Sequence, residues 1–562
     1  MAGWLKKQLI LLTGIGIAVA GIYIGSQSGV DYRDFPVIGA RNAVWVVAQT
    51  MILFAAFILA VPVFVLIIEI GGWLKNDARL DRLAKDFTRL LPISYSITAL
   101  LGGLMTLVTY SLFPKFMNYM SANFKPTYVA FAVLVFLEST LVYIYWTTWD
   151  RLQGQRKRLH IILGLVLNVL GVLVMMVANA WGSFHLSPAG VNEAGKVISL
   201  KDAIFNFTFW PLNVHRFIAN VSFGGFICAA YAAYKYLSAE SDAERSHYDW
   251  MGYTGAFIGV ATIIFLPFAG YYFGIEIYSF NAQMGITFMG GALSKIWLLQ
   301  ALVIAVIYLS TCYYLWLGLD RIPGSEKYKR YVPFLVWLLI FAFAVWATPR
   351  AWVASIEDLA GGTHPIYGTV GIMAPKIAAV NIAILGVVLT FLLNRRAGSI
   401  IPPGRKVLVW MQFFIIFLIV AVNGIVLYYS YHVPSSTRIR LSIYTFLFMV
   451  PAVGLIYLLD GFLLKCATRC GDIQWGRMPP RSQYALITVA VSNVWAMALL
   501  GYGRAAARLN WHVYGVLEDT SKYAGLPALG NATLVISSIT LLFLVLLGIV
   551  FRFAGEARGG VQ

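Results

Sequence analysis

Long apolar runs alternate with short polar loops along the whole chain. Fourteen of these runs can cross a bilayer as helices, because about 20 apolar residues span its hydrocarbon core. The predicted spans lie near 5–25, 42–70, 91–113, 126–148, 160–182, 213–236, 250–272, 291–318, 331–348, 371–394, 407–429, 440–465, 484–505 and 529–552. The pattern therefore predicts an all-α, polytopic integral membrane protein with about 14 transmembrane helices.

The loops that are rich in Lys and Arg all follow even-numbered spans. They therefore lie on one side of the membrane if the spans alternate in direction. These loops are 75–89, 150–160, 320–330, 394–406 and 465–481. The positive-inside rule makes that side cytoplasmic, so both termini are expected there. With no eukaryotic targeting signal evident, we expect a bacterial or archaeal cytoplasmic membrane. The first span follows MAGWLKK, which suits a retained signal-anchor helix and a cleaved signal peptide equally well.

The composition agrees with a membrane protein and excludes several function classes. Hydrophobic residues make up 60% of the chain and charged residues only 12%, roughly half the charged share of a soluble domain. The net charge of +18 lies in the loops and gives no reason to expect nucleic-acid binding. No C-x-x-C-H occurs, which argues against covalent haem c. Cys466 and Cys470 could form a metal pair, but two loop thiols without a second pair favour plain thiols.

Histidines concentrate on the side opposite the basic loops. Five of the seven lie at outer span ends or in outer loops, namely His185, His215, His364, His432 and His512. Any one of them alone is explained by interfacial hydrogen bonding. Together they favour a haem or metal site, because imidazole is the usual ligand of membrane-embedded haem iron.

Four short motifs occur in order along adjacent spans. FLEST at 136–140 is followed by WDRL at 149–152, VANAW at 177–181 and NVHRFIANVSFGGF at 213–226. This series resembles subunit I of the cytochrome bd quinol oxidases, and the resemblance covers residues 42–236.

The resemblance implies a domain organisation. A bd-like core of nine helices would occupy 42–394, after an N-terminal helix and outer loop at 1–41. A membrane extension of four helices would occupy 395–562. The family's quinol-binding loop would shrink to 273–291, and TPRAW at 348–352 would stand for the family's G-R-Q-P-W. A rival register gives that role to GYGR at 501–504.

Several residues that the family uses at its oxygen-reducing haems are absent from this sequence. The span 42–70 has no histidine to match the family's high-spin haem ligand, and 91–113 and 128–135 have no acidic residue. The glutamate ahead of G-R-Q-P-W is missing in both registers. These absences count against oxygen reduction. They leave Glu138 of FLEST as a structural residue or a residual buried proton site.

More of the family's residues are retained in the region that binds its low-spin haem b than at its oxygen-reducing haems. The family's histidine ligand aligns with Ala219, and His215 lies one helical turn earlier on the same face. Met289 is the preferred methionine ligand, with Met449 as the candidate in the rival register. The outer histidines that could substitute as ligands, and the outer arginines that could pair with haem propionates, are His185, His364, His512, Arg216, Arg350 and Arg504.

Three functions remain open at this point. The first is a membrane subunit with one or two low-spin b haems that carries electrons between an outer carrier or partner and quinone or a partner haem. The second is a terminal oxidase with altered haem ligands, and the third is a scaffold without cofactors. Expected partners are the lipid bilayer, other membrane subunits of a bd-like complex, quinone, and an outer cytochrome c or iron-sulfur subunit.

Overall fold

The computed structural model describes residues 2–289, 293–347, 374–430, 432–433, 435–525 and 529–556, without the side chains of a few residues inside them. Most of these residues are helical. The helices, numbered α1 to α19, are Ala2–Ser26, Ala40–Lys75, Ala78–Thr88, Leu91–Leu112, Pro114–Thr147, Lys157–Leu186, Leu200–Ile204, Phe209–Leu237, Asp242–Ile263, Leu266–Phe280, Ala282–Met289, Ser294–Leu317, Glu326–Lys329, Val332–Ala347, Ala374–Arg396, Lys406–Ser430, Ser435–Lys465, Pro480–Ala506 and Leu529–Glu556.

Short strands form two small ribbons in the described part of the chain. Strand β1 (Ser399–Ile400) pairs antiparallel with β2 (Thr468–Arg469), and β3 (Trp511–Val513) pairs antiparallel with β4 (Leu517–Glu518). Strands this short only connect neighbouring loop segments, so the fold is all-α.

The prediction of a multi-pass helical membrane protein is confirmed. Thirteen helical segments of the described chain are long and apolar enough to cross a membrane. The remaining predicted span, 5–25, corresponds to α1, whose described apolar part is Leu12–Ser26. The chain is therefore a multi-pass membrane protein.

Local sequence signals explain where the helices near the first basic loop begin and end. Helix α2 ends at Lys75 and is capped by Asn76, which adopts a left-handed conformation with φ of 50°. Asp77 then caps α3, accepting hydrogen bonds from the backbone N–H groups of Arg79 and Leu80. Helix α5 begins at Pro114, a residue whose missing N–H costs nothing in a first turn.

The chain divides into two compact units. Unit 1 comprises residues 1–227, 275–280 and 497–562, and unit 2 comprises 228–274 and 281–496. The predicted division into 1–41, 42–394 and 395–562 stays a prediction.

Unit 2 contains buried ion pairs that hold its loops to its helices. Asp249 pairs with Arg321 and also accepts a hydrogen bond from the backbone N–H of Gly476 at 2.9 Å. Asp460 receives Nε of Arg395 at 3.1 Å and Nε of Arg396 at 2.9 Å. Because each buried carboxylate has a guanidinium partner, removing one member of a pair would leave an uncompensated charge inside the unit.

Within unit 1, α1 and α4 pack with their backbones close together at glycines. A Cβ at Gly14 would lie 2.7 Å from the carbonyl oxygen of Ala99, and a Cβ at Gly103 would clash with the backbone of Gly14. In contrast, a Cβ at Gly102 would meet nothing within 4 Å. Small residues at helix contacts are typical of membrane proteins, where close packing drives helix association.

This packing predicts that Gly103→Leu destabilises the protein, whereas Gly102→Leu does not. The larger side chain at 103 must push α1 away from α4, at a cost of about 1–3 kcal/mol in the free energy of unfolding. The measurement is the Tm of the two detergent-solubilised variants by fluorescence-detected size-exclusion chromatography. Equal Tm values for the two variants would contradict the α1–α4 contact.

Candidate cofactor site

The C-terminal end of α6 meets three other parts of unit 1: the start of α8, the end of α18 and the β3–β4 hairpin. The backbone N–H of Tyr514 in the hairpin donates to the carbonyl oxygen of His185 at 3.1 Å. Between α6 and α8, the Ser187 hydroxyl donates to Oδ1 of Asn206 at 2.8 Å and lies 2.7 Å from the Thr208 hydroxyl. These bonds fix the backbone around the predicted site residues.

His185 lies in the last turn of α6 with an unsatisfied imidazole nitrogen. Its ring packs edge-on against Phe116 of α5, with ring centroids 5.2 Å apart. Its Nε2 atom is buried and has no hydrogen-bond partner among the described residues. A buried nitrogen without a partner is uncommon and points to a missing ligand or water.

The asparagine of VANAW positions the arginine of the next motif. Arg216 Nη1 donates to Oδ1 of Asn179 at 2.7 Å, and Asn179 Nδ2 donates to Oδ1 of Asn213 at 2.9 Å. The neighbouring His215 is buried, with 8% of its surface exposed. The two motifs therefore form one α6–α8 contact that holds His215 and Arg216 at this end of the unit.

Arg504, near the end of α18, brings these groups together. Its electrostatic field reaches His185, His215 and Arg216. A Cβ at Gly182 would lie only 3.0 Å from Nη1 of Arg504. The glycine on α6 thus leaves the space that the guanidinium occupies.

His512 enters the same end of unit 1 from strand β3. Its ring stacks on Phe116 and meets Phe113 edge-on, both with centroids 4.8 Å apart. Its Nε2 lies 3.6 Å from Oδ1 of Asp519, whose other oxygen is 3.7 Å from Nη1 of Arg41.

Positive charge exceeds negative charge in this cluster. Arg41 and Arg508 interact with the Asp519 carboxylate. Arg216 and Arg504 have no ion pair with a described carboxylate. Because unpaired guanidinium groups in a shielded site are costly, their arrangement favours an anionic ligand such as a carboxylate.

Burial lowers the pKa of two side chains in the segment after α18, those of His512 and Arg508. It lowers the pKa of His512 to about 4, with Asp519 opposing that shift and Arg508 and Arg41 adding to it. It also lowers the pKa of Arg508 to about 9, an effect that Arg41 and Arg504 reinforce. His512 is therefore neutral at pH 7, the form in which imidazole binds a metal.

Five of the eight predicted cofactor residues come together here: His185, His215, Arg216, Arg504 and His512. The side chain of Met289 and residues Arg350 and His364 lie outside the described residues, so their predicted roles stay predictions. Met449 is buried in unit 2.

Sequence reasoning missed several residues of the cluster. Arg508 lies one turn beyond Arg504 in GRAAAR, a spacing that was visible. Arg41 and Asp519 gave no such signal, because 478 residues separate them in the sequence. Met175 on α6 was missed too; its sulfur accepts a hydrogen bond from Nδ2 of Asn220 at 3.7 Å.

Glu138 lies apart from this cluster, sealed between helices α4, α5 and α6. It is 4% exposed, and Tyr95 donates a hydrogen bond to its Oε2 at 3.4 Å. A Cβ at Gly171 of α6 would lie 3.2 Å from its Oε1. No described basic side chain pairs with it, and an unpaired carboxyl group inside a membrane is cheapest when protonated.

Acidification from pH 7 to pH 5 is predicted to destabilise unit 1 partly through His512. In the unfolded chain His512 binds a proton below about pH 6.5. In the folded chain it stays neutral down to about pH 4. The free energy of unfolding therefore falls by up to about 1.4 kcal/mol per pH unit in that window. His512→Gln should reduce the loss of Tm between pH 7 and 5, and His432→Gln, at an exposed position, should not. An unchanged pH slope in His512→Gln would refute the buried neutral state.

Comparisons with known proteins show what part of the chain is similar to. Residues 40–283 match the family model of cytochrome bd terminal oxidase subunit I. Among solved structures, the chain is similar to bd oxidase from Geobacillus thermodenitrificans, with 14% identity, coverage of 93% of this chain and 98% of that one, and a TM-score of 0.48. No curated protein matches. The FLEST, VANAW and NVHRF motifs all lie inside the matched range, so this part of the multi-pass membrane chain is similar to cytochrome bd terminal oxidase subunit I.

Proposed function

We propose that the chain is a haem-b-carrying membrane subunit of a bd-like oxidoreductase complex and that it transfers electrons at the C-terminal end of α6. The single observation behind this proposal is the convergence of His185, His215, Arg216 and Arg504 in unit 1. Cytochrome bd oxidases, whose subunit I model matches residues 40–283, bind haem, and the cluster offers an imidazole ligand and guanidinium groups for the propionates.

The donor set suits a haem. An imidazole nitrogen is the usual axial ligand in membrane cytochromes, and His185 Nε2 is buried with no described partner. Arg504 has no hydrogen-bond partner among the described residues, and Arg216 uses Nη1 on Asn179 while its other donors stay available. Guanidinium groups bind carboxylates through two parallel hydrogen bonds, which is what haem propionates require.

In this proposal each residue has a defined task. His215 would ligate the haem iron, and His185 would be the second candidate ligand; the side chain of the other predicted ligand, Met289, lies outside the described residues. Arg504 and Arg216 would bind the propionates, and Asn179 orients Arg216. When bound, haem supplies the one-electron chemistry, while the protein sets its potential through ligands, burial and nearby charge.

The proposal also covers the orientation of the chain in the membrane, its redox partners and the role of Glu138. The basic loops would face the cytoplasm, which puts the cluster on the outer side of a bacterial or archaeal membrane with both termini inside. Electrons would pass between an outer cytochrome c or iron-sulfur partner and quinone or a partner haem. Glu138 would act as a structural residue or a buried proton site.

His215→Gly is predicted to remove the haem from the purified full-length protein. The loss of one axial ligand should cut the pyridine haemochrome signal at least in half, and added imidazole should restore it by entering the vacated position. His432→Gly, at an exposed position, is the matched control and should keep the wild-type signal.

The same preparation separates the competing functions. A wild-type chain without any haem favours the scaffold function and contradicts the proposal. A reduced spectrum that changes when carbon monoxide is added favours a terminal oxidase with altered ligands. Full haem content in His215→Gly would show that His215 is not a ligand.

Arg504→Gln is predicted to lower the midpoint potential of the haem, because a nearby positive charge stabilises the reduced state. Arg504→Lys should keep most of the potential, and Arg245→Gln, at a half-exposed side chain in unit 2, should change nothing. Potentiometric titration of the α-band measures all three. An identical potential in Arg504→Gln and the wild type would contradict the propionate role.

A further inference from the structure

A second buried polar cluster lies at the N-terminal end of α6, and the proposed electron transfer does not use it. It joins Glu69 of α2, Tyr145 of α5, and Lys157 and His160 of α6. Glu69 and His160 are 0% exposed, Tyr145 is 1% exposed and Lys157 is 3% exposed. His160 and His185 are 25 positions apart on one helix, so this cluster lies about 38 Å from the candidate cofactor site.

Glu69 accepts hydrogen bonds on both carboxylate oxygens. Its Oε2 receives the Tyr145 hydroxyl at 2.5 Å, and its Oε1 lies 2.9 Å from Nζ of Lys157 and 2.5 Å from Nδ1 of His160. A carboxylate with several donors is stabilised in its ionised form. Glu69 is therefore an acceptor towards every partner.

The two nitrogens of His160 both face acceptors. Nε2 lies 2.9 Å from the carbonyl oxygen of Tyr145, so it must carry a hydrogen. Nδ1 faces the Glu69 carboxylate, so it must share a hydrogen as well. Rotating the ring by 180° would place a carbon in hydrogen-bond contact with that oxygen. A neutral imidazole has only one N–H, so this geometry requires one additional proton.

The aromatic surroundings of His160 favour the same charge. Its ring stacks on Tyr145 with centroids 4.3 Å apart and meets Trp149 edge-on at 4.7 Å. Cations are attracted to the faces of aromatic rings. The neighbouring Lys157 Nζ also lies over Trp149, 4.5 Å from the ring centroid.

Charge balance gives an independent argument. Lys157 Nζ bridges Glu69 Oε1 and, at 2.5 Å, Oδ1 of Asp81 on α3. Two carboxylates with one ammonium leave one uncompensated negative charge, which is costly in a shielded site. A protonated His160 makes the four groups neutral.

The cluster has contact with water at one side only. The Asp81 side chain is 29% exposed, whereas the Lys157 side chain is 4% exposed and those of Glu69 and His160 are fully covered. A proton can therefore reach the cluster from the aqueous phase at the start of α6 by way of Asp81 and Lys157.

We propose that Glu69 and His160 form a proton-binding site at the N-terminal end of α6, which holds one proton as an imidazolium and exchanges it with the adjacent aqueous phase. The proton fastens α2, α5 and α6 together at this end of unit 1. The site is independent of whether the other end of α6 binds haem.

The test is solid-state NMR of the full-length chain in lipid bilayers with ¹⁵N-labelled histidine. His160 is assigned by the signal that His160→Gln loses. At pH 7 both of its ring nitrogens should give imidazolium shifts. A neutral His160 tautomer at pH 7 in the wild type would overturn the proposal without the need for any further variant.

Glu69→Gln supplies the second arm of the test. It removes the carboxylate that the proton neutralises, so His160 should become neutral at pH 7. Glu138→Gln changes the other buried glutamate of unit 1 and should leave the His160 shifts as they are. A His160 that remains doubly protonated in a folded Glu69→Gln protein would show that Glu69 does not hold the proton.

Discussion

A polar side chain inside an apolar bundle must find its partner within the protein, because the bilayer offers none. Helix α6 shows this constraint at both ends. At its start, His160 and Lys157 meet Glu69 of α2. At its end, Asn179 receives Arg216 of α8. These contacts decide which faces of α2, α6 and α8 turn inward, and the candidate sites follow from that choice.

The two ends of α6 differ in how well their charges are matched. At the start, two carboxylates face two cationic groups, and every oxygen of Glu69 has a donor. At the other end, Arg216 and Arg504 lack a described carboxylate partner, and His185 Nε2 has no described hydrogen bond. The complete set of partners around Glu69 is consistent with a site that binds only a proton. The incomplete set around His185 and Arg504 is consistent with a site that binds a larger, anionic ligand.

Much of the fold could be predicted from the sequence, because apolar runs of bilayer length leave few alternatives. The resemblance to cytochrome bd oxidase subunit I could be seen in FLEST, VANAW and NVHRF, and the structure gives all three motifs a physical meaning. Asn179 and Arg216 bind each other, and Glu138 is sealed by Tyr95 and Gly171.

The rest of the candidate site could not be read from the sequence. The same holds for the second cluster, where His160 and Glu69 are 91 positions apart and share no sequence motif. Asp519 and Arg41 meet only because the β3–β4 hairpin folds back against the end of α6. Hydrophobic pattern fixes which segments are helices, but helix rotation and loop closure decide which side chains meet.

The most direct test of the central claim is a cryo-EM map of the complex purified from its native membrane. We predict planar density of haem size at the C-terminal end of α6, in contact with His215, Arg504 and Arg216. A map in which these side chains contact only one another or water would contradict the account.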